Sequence, residues 1–131
     1  MHCSHSAAKS WIETYRSRDA ARTWRLDGVP APDLGEGNPA SLIRLSDGRL
    51  CLTYGYRAPP YGIRARLSPD GGRNWGEEIV LRADGGGRDL GYPRSAERPD
   101  GRVVTVYYFR DQPNSDRYIA ATIWHPRRDG R

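Results

Sequence analysis

The chain is 131 residues long, enough for one modest domain, with 28% charged and 37% hydrophobic side chains. No apolar run approaches the roughly 20 residues of a membrane helix, and 15 Gly with 10 Pro argue against a helical bundle. The net charge of +5 is carried almost wholly by arginine, with Lys9 the single lysine, scattered among 16 acids. It lacks the basic helix or basic-aromatic cluster of a nucleic-acid surface.

Residues 1–9 are read as a disordered lead, because nothing periodic organises them. They carry no basic segment followed by an apolar one, so no secretory signal is expected there. His2, Cys3 and His5 stand close together, but no second ligand cluster follows and no metal site is predicted. Cys3 and Cys51 are too few for a disulfide framework.

From Trp11 to Arg16 the pattern is that of a strand, and a short further strand follows Trp24. A short apolar strand at Leu42–Leu45 leads into the hairpin signal Asp47-Gly48. Leu50, Leu52, Tyr54 and Tyr56 then alternate with Cys51, Thr53 and Gly55, which is strand periodicity with Cys51 as a small buried apolar residue. After Ala58-Pro59-Pro60 another strand runs over Gly62–Leu67, with Arg64 and Arg66 expected on a solvated face, and a fourth covers Glu78–Arg82. The glycine-rich loop Ala83–Gly91 leads to three more strands, Ser95–Arg98, Arg102–Phe109 and Tyr118–Trp124. Residues 127–131 form a basic tail. No helix is needed anywhere.

The chain repeats itself. Ser68-Pro69-Asp70-Gly71-Gly72-Arg73-Asn74-Trp75 matches Ser17-Arg18-Asp19-Ala20-Ala21-Arg22-Thr23-Trp24, 51 residues earlier. Pro39-Ala40-Ser41 with Asp47-Gly48-Arg49 returns as Pro93-Arg94-Ser95 with Asp100-Gly101-Arg102, at offsets of 54 and 53. Four antiparallel strands in a period of about fifty residues are the content of one propeller blade. The expected architecture is therefore all-β: a β-propeller fragment with one complete four-stranded blade flanked by two partial ones, spanning 10–126. Partial blades leave edges and apolar faces uncovered, so the missing blades or self-association should cover them.

At the strand heads, Tyr92 and Arg94 stand two residues apart and so on one side of a strand. A phenol beside a guanidinium can contact an anion or a sugar, or the tyrosine can simply stack on a neighbour. Asp89 can face the same mouth or belong only to its loop.

The eight-residue turn resembles the Asp-box, Ser-x-Asp-x-Gly-x-x-Trp, of the sialidase (BNR repeat) superfamily. Residues 68–75 match it fully, and residues 17–24 match except for Ala21 in the glycine position. The resemblance covers about residues 10–124 and implies a propeller that is six-bladed in the full-length family. It also implies that the boxes are structural, so Ser17, Asp19, Trp24, Ser68, Asp70, Gly72 and Trp75 shape turns. Sialidases are retaining glycosidases with a tyrosine nucleophile, and an arginine triad grips the substrate carboxylate. On this likeness Tyr92, eight residues before Asp100-Gly101, is the candidate nucleophile. Arg94 and Arg57 are candidate anchors for an anionic sugar, with Asp89 a further polar contact. The family stretch Tyr-Ser-x-Leu is Tyr-Pro-Arg-Ser here. The acid that usually ends the following strand is absent from Val106-Tyr107-Tyr108-Phe109.

The expected function is exo-acting hydrolysis of terminal glycosidic bonds in complex glycans, with no cofactor, no metal, and no nucleic-acid or membrane partner. The 131 residues are expected to be a truncated and by themselves inactive fragment of such an enzyme. The alternatives are a non-catalytic propeller that binds carbohydrate or protein, or another polysaccharide-active enzyme on the same scaffold. Family members are usually secreted or periplasmic.

Overall fold

The structure is a computed structural model that describes residues 1–5 and 9–127. The described residues form ten strands in three antiparallel sheets, with no helix among them, and the sheets do not close into a barrel. The first sheet orders β1 (His2–His5), β2 (Ser10–Arg16) and β3 (Arg25–Ala31) side by side. The second is β4 (Ser41–Arg44), β5 (Leu50–Tyr56), β6 (Gly62–Ser68) and β7 (Ile79–Arg82). The third is β8 (Gly91–Glu97), β9 (Val103–Phe109) and β10 (Tyr118–Trp124). Each strand pairs with its neighbour in sequence, so every sheet is a meander.

Three expectations about the strands need correction. Residues 2–5, read as part of a disordered lead, pair with β2 in the register Cys3↔Ile12. The reason is the apolar cluster beneath: Cys3 packs against it half-buried, and β2 gains a partner for an edge that would otherwise be bare. The strand after Trp24 is seven residues long rather than short. The head of β8 begins at Gly91 rather than Ser95, with an extra residue bulged between Gly91 and Arg94. Of the basic tail, residues 128–131 lie outside the described residues.

The sheets stack through three apolar clusters. Ile12 and Ala31 of the first sheet meet Leu52 and Tyr54 of the second, with Leu34 and Ala40 between them. On the opposite face, Cys51 and Leu67 meet Val103 and Leu45, while Ile63 meets Leu90, Tyr107 and Phe109. Each fully buried side chain of this size contributes about 1.5–3 kcal/mol. A buried hydroxyl chain adds direction, because Ser95 Oγ bonds both Thr53 Oγ1 (2.8 Å) and Thr105 Oγ1 (2.9 Å). Cys51 is fully buried, and desolvation lifts its thiol to about 12, so it behaves as an apolar residue.

Arg64 is not on a solvated face. It is 3% exposed, and its guanidinium donates to the Arg82 carbonyl (2.6 Å) and the Pro60 carbonyl (3.0 Å). It also pairs with Glu78 at 3.3 Å and lies over the Tyr56 ring at 4.9 Å. Burial is tolerated because carbonyls, a carboxylate and a ring face replace the water.

The two boxes join β2 to β3 and β6 to β7, and they share one hydrogen-bond pattern. In the second, the Gly72 amide donates to Ser68 Oγ (2.8 Å) and the Asn74 amide to Asp70 Oδ1 (2.8 Å). In the first, the Ala21 amide donates to Ser17 Oγ (2.8 Å) and the Thr23 amide to Asp19 Oδ1 (2.8 Å). The turn demands left-handed backbone at two positions. Gly71 and Gly72 supply it at φ 73° and 95°, whereas Ala20 and Ala21 are held there at 56° and 67°.

A non-glycine residue in that region costs roughly 1–2 kcal/mol, so Ala21→Gly should raise stability by about 1 kcal/mol, read as a higher Tm. Acid should act through the same turns. The Thr23 hydroxyl, then its amide and Ser17, hold the Asp19 carboxyl down to about 2 from an ordinary 3.8. Stability from the charged form is therefore complete above the ordinary value and lost as pH falls from there towards 2. Acid titrations of the wild type and Asp19→Asn should diverge in that window and run parallel above it.

Candidate functional site

The loop from Ala83 to Leu90 delivers the chain to the head of β8, and Arg57 arrives there from the end of β5. Close packing fixes this corner. The buried Asn38 side chain accepts from the Gly55 amide (3.1 Å) and donates to the Gly55 carbonyl (2.9 Å). A Cβ at Gly55 would sit 2.7 Å from Asn38 Oδ1 and 3.0 Å from the Gly91 Cα. Only glycine lets the two backbones approach this closely.

Arg57 is the organising group. Its Nε donates to the Leu90 carbonyl (2.9 Å), one terminal nitrogen to the Gly37 carbonyl (3.2 Å), and the other to the Tyr108 hydroxyl (2.9 Å). The same guanidinium stands 5.6 Å from the centre of the Tyr92 ring. Tyr108 passes its own proton towards Asp89 Oδ1 at 2.8 Å, and Arg117 Nε holds the other carboxylate oxygen at 2.6 Å. The rings of Tyr92 and Tyr108 lie 5.7 Å apart, tilted by 47°. Thus Arg57, Asp89 and Tyr92, three of the four residues singled out from the sequence, meet in one place.

Arg94 does not join them. Its guanidinium reaches the neighbouring Pro93 carbonyl (3.0 Å), and no hydrogen bond or ring contact connects it to Tyr92. Tyr92 and Arg94 are both exposed on β8, on either side of the buried Pro93, but the contacts of Tyr92 run to Arg57 and Tyr108 instead. Tyr92 itself takes the left-handed conformation, φ 51°, and is 52% exposed. A bulky residue there is strained, a condition that concentrates at functional sites.

Two residues were missed in the sequence. Tyr108 stands beside the place where an acid was sought, and its outward parity on β9 was the available signal. Arg117 lies in the turn before β10, and no local pattern marks it.

The electrostatics follow from these contacts. Burial first, then the bond to Asp89, pushes the Tyr108 phenol up to about 12. It stays protonated near neutrality and acts as a donor. The bonds from Tyr108 and Arg117 hold the Asp89 carboxyl below its ordinary range, so it is an anion there. Around this core lies a cleft of about 550 Å³ lined by Arg57, Arg88, Arg110, Arg117, Glu36 and Asp89. Four guanidiniums against two carboxylates favour an anionic guest. A second hollow, about 410 Å³, is lined by Tyr92 together with Asn38, Ala40 and Ile12. Among the described residues no group of His, Cys, Asp and Glu could hold a metal ion.

No family model matches the chain, and no curated protein does. A similar solved structure is that of a protein of unknown function from Dyadobacter fermentans, 36% identical with a TM-score of 0.71. The likeness covers 92% of this chain and 32% of that one, so the chain spans about a third of its length.

Tyr108→Phe should let the Asp89 carboxyl rise towards its ordinary value, followed by NMR titration of its carboxyl carbon. It should also cost about 0.5–1.5 kcal/mol of stability. Tyr92→Phe should leave the Asp89 titration unchanged, because the Tyr92 hydroxyl makes no hydrogen bond to it.

Proposed function

We propose that the three sheets are successive blades of a sialidase-type propeller, and that the chain is part of a glycoside hydrolase acting on terminal sugars of complex glycans. The observation that carries this reading is the pair of box turns, alike in sequence, in hydrogen bonding and in place within their sheets. The site supports the same reading, because an exposed, strained Tyr92 stands beside a fixed Arg57 and an anionic Asp89 at the head of β8. Arg57 supplies positive charge for an acidic sugar, and its bonds to two backbone carbonyls hold that charge in place before a ligand arrives. Tyr92 is the candidate nucleophile, and a phenol needs a base to take its proton before it can attack.

A second reading has its own support. Among the described residues the Tyr92 hydroxyl has no carboxylate hydrogen-bond partner, and Asp89 is already engaged by Tyr108 and Arg117. A site with donors in place and no free base suits binding without turnover, so a non-catalytic carbohydrate-binding propeller is the alternative.

The chain alone should release no chromogenic aglycone from a sialoside, while an acidic sugar should shift its Tyr92 and Tyr108 ring resonances. In a longer protein containing this segment, the enzyme reading expects Tyr92→Phe to abolish turnover while sugar binding persists. Full turnover in that variant removes Tyr92 from the chemistry. Sugar binding without any turnover by the longer protein decides for the binding module.

A further inference from the structure

The arginine-lined cleft beside Asp89 carries more positive charge than its own acids balance. It is built where the second and third sheets meet, not on an end face of the stack. Its walls come from the segment joining β3 to β4, the end of β5, the glycine-rich loop and the turn between β9 and β10. The last two are fixed to each other. The Gly86 amide donates to the Arg110 carbonyl (2.9 Å), and a Cβ at Gly86 would meet the Gln112 backbone at 2.3 Å. A Cβ at Gly87 would meet nothing within 4 Å, so the backbone there lies open.

The repeat places the charges. Arg57 and Arg110 stand 53 residues apart, each directly after its strand, β5 or β9. Glu36 and Asp89 are separated by the same 53 residues. Glu36 forms an ion pair with Arg88, and Asp89 forms one with Arg117. Among the described residues, the hydrogen-bond partners of Arg57 and Arg110 are all neutral. A guanidinium has five N–H groups. Arg57 uses three of its own, on two carbonyls and the Tyr108 hydroxyl, which leaves one on each terminal nitrogen. Arg110 uses its Nε on the Gln112 carbonyl (3.1 Å). Two guanidiniums are thus left to a guest.

We propose that this cleft holds a tetrahedral oxyanion, borne on the glycan as a sulfate or phosphate ester. The two oxygens of a carboxylate are satisfied edge-on by a single guanidinium. Here the guanidiniums without a carboxylate come from two different sheets, an arrangement that suits a group with three terminal oxygens pointing apart. Arg57 also joins the cleft to Tyr92, standing 5.6 Å from the centre of that exposed ring. An ester held by Arg57 brings its sugar against a ring that offers an apolar face and a hydroxyl. The sugar rests on the glycan reading above, and the oxyanion does not. Glu36 tunes the site, because it occupies Arg88 and repels an anion. Arg88 is 69% and Glu36 52% exposed, so their pair adds little stability and opens readily to a guest.

The test is isothermal titration of the chain, and of a longer protein containing it, with circular dichroism to confirm folding. The probes are inorganic sulfate, inorganic phosphate, galactose, galactose sulfated on its primary hydroxyl, and glucuronic acid, all at one ionic strength. The sulfated sugar should bind about tenfold more tightly than glucuronic acid, the free ions more weakly than the sulfated sugar, and galactose not at all. Arg88→Gln and Arg110→Gln should each weaken the sulfated sugar about tenfold. Glu36→Gln should tighten it severalfold, a gain that a merely structural role for Glu36 would not produce. Equal binding of glucuronic acid overturns the oxyanion, as do affinities unmoved by the three variants or a folded protein that takes neither the free ions nor the sulfated sugar. Free ions that bind as tightly as the sulfated sugar remove the sugar from the proposal. If the oxyanion fails while an acidic sugar still shifts the Tyr92 resonances, this proposal falls and the glycan reading stands.

Discussion

The central strand β5 is buried on both faces, and the rest of the structure is arranged around that constraint. Leu52 and Tyr54 meet the first sheet while Cys51 meets the third, so one seven-residue strand joins two apolar clusters. A strand in this position has no solvated side, and its polar groups must be satisfied within the protein. Thr53 does so through Ser95, and Tyr54 through its bond to Glu78 at 2.6 Å. Burial, and after it the bond to Glu78, raises the Tyr54 phenol well above its ordinary value. The hydroxyl is thereby held in the protonated form that donates.

The candidate site is a consequence of the same stacking. Because the second and third sheets lie against each other, the end of β5 and the head of β8 come together with only glycine between their backbones. Arg57 then spans the junction, bonding the Gly37 and Leu90 carbonyls from one guanidinium. Its charge serves structure and site at once. Asp89 balances it through Tyr108, so the corner holds an alternating series of cation, phenol, anion and cation ending at Arg117.

Strand alternation and the repeat made the sheets legible. The period of about fifty residues, the two boxes and the Asp-Gly hairpins located the strands between Trp11 and Trp124 without any structure, apart from the full length of β3 and the head of β8. The boxes were legible because their function is local: Ser17 and Asp19 bond amides no more than four residues away. β1 was not legible, since four residues without periodicity become a strand only when β2 and the cluster under Cys3 are present to receive them. Arg64 failed for the same kind of reason. An arginine in a strand reads as a solvated charge until a carboxylate, two carbonyls and a ring surround it.

By itself the sequence determined the all-β class, the order of the strands, the two repeated turns and the presence of Tyr92, Asp89 and Arg57 near strand ends. These are consequences of short-range rules, the alternation of side chains and the backbone demands of tight turns. Only the tertiary structure decided which of those residues meet. Tyr92 contacts Arg57 and Tyr108 rather than Arg94, and the packing of the third sheet on the second brought Tyr108 and Arg117 onto Asp89 from 19 and 28 residues away. Contacts across that distance depend on how sheets stack, and stacking is set by the summed burial of many side chains rather than by any local pattern.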